Sequence, residues 1–303
     1  MTDQDGSEPV MAAEDGGGPA AGYRDFPMPG SLGDSARAWL DGAAPHPTPA
    51  RPSATVMLLR ERAGTEVFVL RRASTMRFAP DFVAFPGGGV DPRDSDPDVP
   101  WAGPRPQDWS VTLDTDQDRA RELVIAAARE VFEECGVLLA GGDDGTVVAD
   151  LTGPAWDIER EALLAHEQSF GELLIRRRLV LRSDLLRLRG HWITPDCEPR
   201  RYDTRFFAAR MPEGQVADDR STEATRVRWV HPGAALADHR AGTEVMLPPT
   251  QVMLEQLAAA VSVQEFLDRS RPVSPVQPWP VEHDGALWMR APVDGAGHGR
   301  RSA

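Results

Sequence analysis

The segment Arg129-Glu130-Val131-Phe132-Glu133-Glu134-Cys135-Gly136-Val137 holds the side chains best placed to do chemistry together. On a helix, at about 100° per residue, Glu133 and Glu134 fall about 60° and 40° to either side of Glu130. The three carboxylates then share one stripe, with β-carbons about 5–6 Å apart. Like charges so placed repel, and clustered hard oxygen donors suit Mg²⁺ or Mn²⁺. Arg129, four residues before Glu133, can pair with that carboxylate and hold it ionised and oriented. Ala126 and Ala127 leave room above the stripe, whereas Val131 and Phe132 turn toward a core. In isolation such a run is an ordinary solvated acidic helix face, so its surroundings decide the matter.

Those surroundings read as a positioning frame. Ala54–Arg60 and Thr65–Arg72 are apolar runs joined by a short loop, which predicts paired strands. Phe82–Phe85 enters Pro86-Gly87-Gly88-Gly89, where missing Cβ atoms permit close backbone approach to a phosphate. Gly87, Gly88 and Gly89 are therefore candidate substrate contacts, together with Arg72 and Arg77. Residues 91–116 are rich in Asp and Pro without a period of their own, as in a functional loop or an insertion. A helix is predicted over 117–134, stopped by Gly136 and followed by apolar Val137–Ala140. Further helices are expected over 161–181 and 250–267, the latter capped by Thr250, with strands at 204–210 and 226–230. A hairpin is expected at Asp284-Gly285. Residues 1–50 carry eight acidic side chains against Arg24 and Arg37, so they are expected to be mostly disordered, with one short helix over 35–40. The expected division is a 1–50 acidic segment, a 51–268 catalytic domain and a 269–303 extension that is partly disordered.

The chain of 303 residues has 47 acidic and 33 basic side chains, a net charge of −14. A general basic surface for nucleic acid is disfavoured, and an acidic protein acting on a polyanion needs local arginines or divalent cations. All basic residues are arginine, so chemistry that requires a lysine is excluded. Two cysteines give no disulfide framework, no stretch is long and apolar enough to span a membrane, and MTDQDGSEPV lacks signal-peptide character. A cytoplasmic location is the expectation.

The acidic segment resembles the end of the Nudix box: a glycine, five residues, a glutamate, seven residues, then R-E-U-x-E-E-x-G-U with U apolar. Arg129, Glu130, Val131, Glu133, Glu134, Gly136 and Val137 match that end, and Phe85-Pro86-Gly87-Gly88 matches its start. Gly88 and Arg129 stand 41 positions apart where the standard box has 14. Counted back from Arg129, the box glutamate falls at Arg121, and the nearest acid is Glu122. That group is missing or supplied by the insert. A box interrupted by an insert, with Gly88-Gly89-Val90-Asp91 before it, resembles the acyl-coenzyme A diphosphatase branch. Similarity extends to His191–Pro195, Arg201–Phe207 and Glu223–Val230, over roughly residues 53–262.

The resemblance implies a Nudix α/β/α sandwich with a mixed β-sheet, and metal-assisted hydrolysis of a nucleoside-diphosphate derivative. Glu130, Glu133 and Glu134 would hold Mg²⁺ or Mn²⁺. The general base would come from these glutamates or from a later loop, with Glu223 the candidate. Coenzyme A or acyl-CoA leads as substrate. ADP-ribose, dinucleotides and nucleotide sugars are alternatives, as is a module that binds a nucleotide without cleaving it, favoured by the absent acid at Arg121. The expected partner is a small nucleotide diphosphate, with no nucleic acid and no membrane; a homodimer is left open. Arg71, Arg200, Arg201 and Arg205 are further phosphate candidates that more often prove to be surface pairs. His191 is read as structural or as a substrate wall, Cys135 as packing, and Asp94–Asp98 as lacking the pattern of a calcium loop.

Overall fold

The computed structural model describes residues 22–43, 46–73, 81–142, 145–218 and 224–293. In chain order the strands and helices are β1 (Arg24–Pro27), α1 (Gly33–Leu40), β2 (Arg51–Glu61), β3 (Thr65–Arg72), β4 (Val83–Ala84), β5 (Gly87–Gly89) and β6 (Trp101–Ala102). There follow α2 (Pro106–Leu113), α3 (Gln117–Cys135), β7 (Ala140–Gly141), α4 (Pro154–Leu164), α5 (Phe170–Arg177), β8 (Val180–Arg182) and β9 (Arg187–Ile193). The chain then forms β10 (Tyr202–Arg210), β11 (Ala224–Val230), α6 (Pro232–Arg240), α7 (Pro248–Ala258), α8 (Val263–Asp268), β12 (Pro275–Val276), β13 (Trp279–His283) and β14 (Ala286–Ala291). They fall into two compact units, the larger formed by Thr48–Thr194 and Arg200–Val276.

Within the larger unit, a mixed sheet runs in the order β11-β3-β2-β10-β9-β12. β10 lies parallel to β2, and β12 parallel to β9. β4 adds to β3, and β5 adds to β2. The period of two along β2 and β10 separates two buried faces. Ala54, Val56, Leu58, Phe207 and Ala209 join Val124, Ala127, Val131 and Phe132 of α3 in one apolar cluster. Met57, Leu59, Phe206 and Ala208 are buried outside that cluster, where α8 packs on β2 and β10 and α7 packs on β9. Helices on both faces make this the expected α/β/α sandwich.

Three stretches differ from their predicted form. The 91–116 segment is built: a 3-10 turn over Pro92–Ser95, β6 pairing with β8, and α2 against α3. Trp109 and Leu113 of α2 are buried, and Trp109 meets Phe207 edge-on with ring centroids 5.8 Å apart. The 161–181 pattern is two helices and a strand. The chain turns at His166 (φ 59°), and Ser169 with Glu172 forms a capping box that starts α5 afresh. The 250–267 pattern likewise breaks, because Ser262 caps α8 by accepting from the Glu265 amide.

The smaller unit takes its described residues from both ends of the chain and from Pro195–Pro199. Its sheet has the order β1-β14-β13. The β13–β14 hairpin turns at Asp284 and Gly285, both at positive φ, as the Asp-Gly pair requires. Residues 24–27 and 33–40, within the stretch read as mostly disordered, form β1 and α1 here. Asp25 of β1 accepts from Arg290 Nε at 2.7 Å and Nη2 at 2.8 Å, which ties that strand to β14.

Candidate active site

Helix α3 carries the acidic stripe, and both its ends are fixed by sequence. Asp116 caps the N-terminus by accepting from the Arg119 amide at 2.8 Å. Gly136 closes the C-terminus at φ 67°, where a side chain would be strained. Beside the helix runs β5, and its glycines explain the contact. A Cβ on Gly88 would stand 2.5 Å from Glu130 Oε1, and one on Gly87 would stand 2.4 Å from the Ala54 carbonyl oxygen. Two of the three glycines thus let a strand pass between β2 and the carboxylates. Only Gly89 has open space on its Cβ side. The Gly87 amide donates to Glu134 Oε2 at 2.8 Å, which locks strand to helix.

Arg129 gathers the rest. Its Nη1 donates to Glu130 Oε1 at 2.8 Å and to Glu133 Oε2 at 2.9 Å. Its Nε and Nη2 grip the Asp94 carboxylate, each at 3.0 Å, and Nη2 also donates to the Gly89 carbonyl at 2.9 Å. Asp94 is the residue that sequence reading missed. Counted forward from Gly88, it follows five intervening residues, which is the position of the box acid; the inserted residues come after it. Its own loop is held by a capping box, in which the Asp91 amide donates to Asp94 Oδ2 at 2.8 Å.

The electrostatics of this cluster are unbalanced. Asp94, Glu130, Glu133 and Glu134 are all buried, and Arg129 is the guanidinium that bonds Asp94, Glu130 and Glu133 together. Burial pushes the carboxyls of Glu130, Glu133 and Asp94 above the usual range, against the pull of Arg129. Arg129 is held firmly protonated by Glu130, Asp94 and Glu133, although burial disfavours its charge. Hard oxygen donors with excess negative charge suit a divalent cation in kind. In arrangement, no three Asp, Glu, His or Cys side chains among the described residues are set to hold an ion. Glu130 and Glu133 turn instead to the arginine.

The remaining candidates are placed as follows. Glu223 and Arg77 lie outside the described residues. Arg72 ends β3 opposite Ala224, its amide donating to the Phe82 carbonyl. Arg121 donates to the Pro97 carbonyl at 2.7 Å, and Glu122 pairs with Arg119 at 2.6 Å, so neither serves the cluster. Arg205 is buried and bonded to Asp203 and to the Leu113 carbonyl; His191 shares Asp203 at 2.6 Å. Arg201 donates to the Thr194 and Thr48 carbonyls, and Arg71 stands 3.8 Å from Asp81. Cys135 is buried with its thiol pushed well up, which fits packing. Sequence reading also missed Arg160, whose Nε donates to the Glu133 carbonyl at 2.9 Å and whose Nη1 pairs with Asp218 at 2.5 Å. It steadies the C-terminal turn of α3 from α4.

No family model matches the chain. Over 202 residues it is 29% identical to nudix hydrolase 7 of Caenorhabditis elegans, a stretch covering 66% of this chain and 58% of that protein. The chain thus spans well under two thirds of that relative's length. The crystal structure of a NUDIX hydrolase from Alicyclobacillus acidocaldarius is 30% identical, with a TM-score of 0.64, and the match covers 73% of this chain and 97% of that one. With sequence and fold agreeing over nearly all of the bacterial structure, and Arg129 joining the two halves of an interrupted box, the chain belongs to the Nudix hydrolase family.

Proposed function

We propose that the protein hydrolyses the diphosphate linkage of a nucleoside-diphosphate derivative, with coenzyme A or an acyl-CoA as its substrate. The observation that carries this reading is the grip of Arg129 on Asp94, Glu130 and Glu133, which completes the box across the insert. A module that merely bound nucleotides drew its support from the missing acid at Arg121, and Asp94 removes that support.

Glu130, Glu133 and Glu134 would hold Mg²⁺ or Mn²⁺, which would neutralise the diphosphate and lower the pKa of a bound water. Arg129 orients Glu130 and Glu133, while the Gly87 amide orients Glu134. Gly89 leaves its side of the strand open for a phosphate. Water oxygen attacks one phosphorus, the bridging P–O bond breaks, and the departing phosphate keeps the electron pair; the water proton passes to a base, for which Glu223 is the candidate. With coenzyme A the products are 3′,5′-ADP and 4′-phosphopantetheine.

The test is a panel of coenzyme A, acetyl-CoA, ADP-ribose, a dinucleoside polyphosphate and a nucleotide sugar, with and without Mg²⁺, scored by product mass. Metal-dependent release of 3′,5′-ADP, lost in Glu133→Gln and Glu134→Gln, is expected. Undiminished turnover in both variants overturns the site assignment, and preference for another panel member overturns the substrate.

A further inference from the structure

The main sheet has a second place where like charges crowd, and it lies away from α3. On β9, Arg189 is passed over by the ladder, since Leu188 pairs with Phe207 and Gly190 with Phe206. Its guanidinium reaches the end of α8, on the other face of the sheet. There Nη1 donates to the Arg269 carbonyl at 2.7 Å and Nη2 to the Leu267 carbonyl at 2.6 Å, with the Phe266 ring centroid 5.3 Å away. Arg189 is only 5% exposed, and its Nε finds no partner among the described residues. Arg187, two residues earlier, donates to the Asp184 and Leu186 carbonyls, and the carboxylate nearest to it, that of Asp184, is already paired with Arg182 at 2.6 Å. Arg271 is exposed and has neither an ion pair nor a hydrogen bond among them. Arg269 pairs with Glu265 at 2.5 Å, and the other nearby acid, Asp268, accepts from Gln264 at 2.8 Å.

With Asp184 taken up by Arg182, the four guanidiniums of Arg187, Arg189, Arg269 and Arg271 face the two carboxylates of Glu265 and Asp268 among the described residues, in a chain whose acidic side chains outnumber the basic ones by 47 to 33. The strain is visible in the charges themselves. Arg189 is drawn down to about 10, first by burial and then by Arg187, Arg271 and Arg269. Arg271, exposed as a residue but with its guanidinium partly covered, is lowered by that partial desolvation and by Arg269.

We infer that Arg187, Arg189, Arg269 and Arg271 form a binding site for a small phosphate-bearing anion, on the face of the main sheet opposite α3. The excess of two positive charges matches a phosphate dianion, and planar guanidinium forks suit its oxygens. Arg189 is already immobilised by the carbonyls of α8, so little side-chain freedom is lost there on binding. The site uses none of the glutamates of α3, so it stands whether or not the proposed hydrolysis does.

The test is calorimetric titration of the full chain with inorganic phosphate, in EDTA to remove divalent cations. Saturable binding is expected in the wild type and equally in Glu133→Gln. The exposed pair Arg187→Gln/Arg271→Gln is expected to weaken it at least tenfold while leaving the melting temperature unchanged without phosphate. Equal affinity in that double variant, or a wild-type response reproduced by sodium chloride at matched ionic strength, overturns the site. A changed affinity in Glu133→Gln, tighter or weaker, would place the phosphate at α3 and overturn it as well.

Discussion

Arg129 and Asp94 are the residues on which the candidate active site turns, and the sequence disclosed them unequally. The acidic stripe was legible because helical spacing alone brings Glu130, Glu133 and Glu134 together. Asp94 was hidden because the insert separates it from Arg129 in sequence while leaving the two in contact in space; a forward count from Gly88 was the signal. Replacing Asp94 with Asn removes the charge that grips two nitrogens of Arg129. Turnover is expected to fall about 10–100-fold, the usual effect of disturbing groups that orient a metal site. Adding Arg121→Glu to Asp94→Asn is expected to restore nothing, because that position reaches the Pro97 carbonyl rather than Arg129. Recovered activity in the double variant would return the box acid to position 121. Gly88→Ala is a sharper case. The new methyl group would press on the Glu130 carboxylate at 2.5 Å, so activity should be nearly abolished while the melting temperature shifts by only a few degrees.

At the scale of elements, strong periodicity carried over and weak periodicity did not. β2, β3, β10 and α3 formed close to their predicted ranges, since each buries a regular face. α2 was not legible: Trp109 and Leu113 are its only buried side chains, set in a stretch dominated by Asp and Pro. The break between α4 and α5 was missed because apolar spacing continues across it, and only the Ser169–Glu172 capping box announces a new start. The insert is thus part of the core, which gives a measurable expectation. Trp109→Ala should cost about 3–5 kcal/mol in urea unfolding, the range for truncating a buried aromatic. A loss under 1 kcal/mol would make α2 a loosely attached flap. Gly136→Ala, forced to φ 67° with its new Cβ 3.0 Å from Arg160 Nη1, should cost about 1 kcal/mol or more by the same measurement.

The pairing of the chain's two ends shows at the scale of the whole molecule and could not be read from composition. β1 is short and lies in a Gly- and Pro-rich stretch, yet it finds its partner in β14, Arg24 lying opposite Ala291. The smaller unit that results carries two carboxyls shifted in opposite senses. Asp25 is held below its ordinary value, chiefly by hydrogen bonds from Arg290. Its contribution is present above the unfolded value, about 3.8, and is lost as pH falls through the folded one. Glu198 is buried, its Oε1 is without a partner among the described residues, and desolvation raises it to about 7. In that case the folded state binds the proton more tightly than the unfolded chain. The associated stability is full below about 4.5 and is lost as pH rises toward about 7. Glu198→Gln keeps a neutral side chain of the same shape at every pH. Relative to wild type, the variant should gain stability steadily from pH 4.5 to 7, by a few kcal/mol at the top of that window. Asp25→Asn should leave that rise untouched and lower stability at neutral pH by about 2 kcal/mol, through loss of charged hydrogen bonds. Urea titrations of the three proteins at pH 4.5, 6 and 8 separate the effects; a Glu198→Gln difference that stays constant across the three would show that this carboxyl titrates as it does in the unfolded chain.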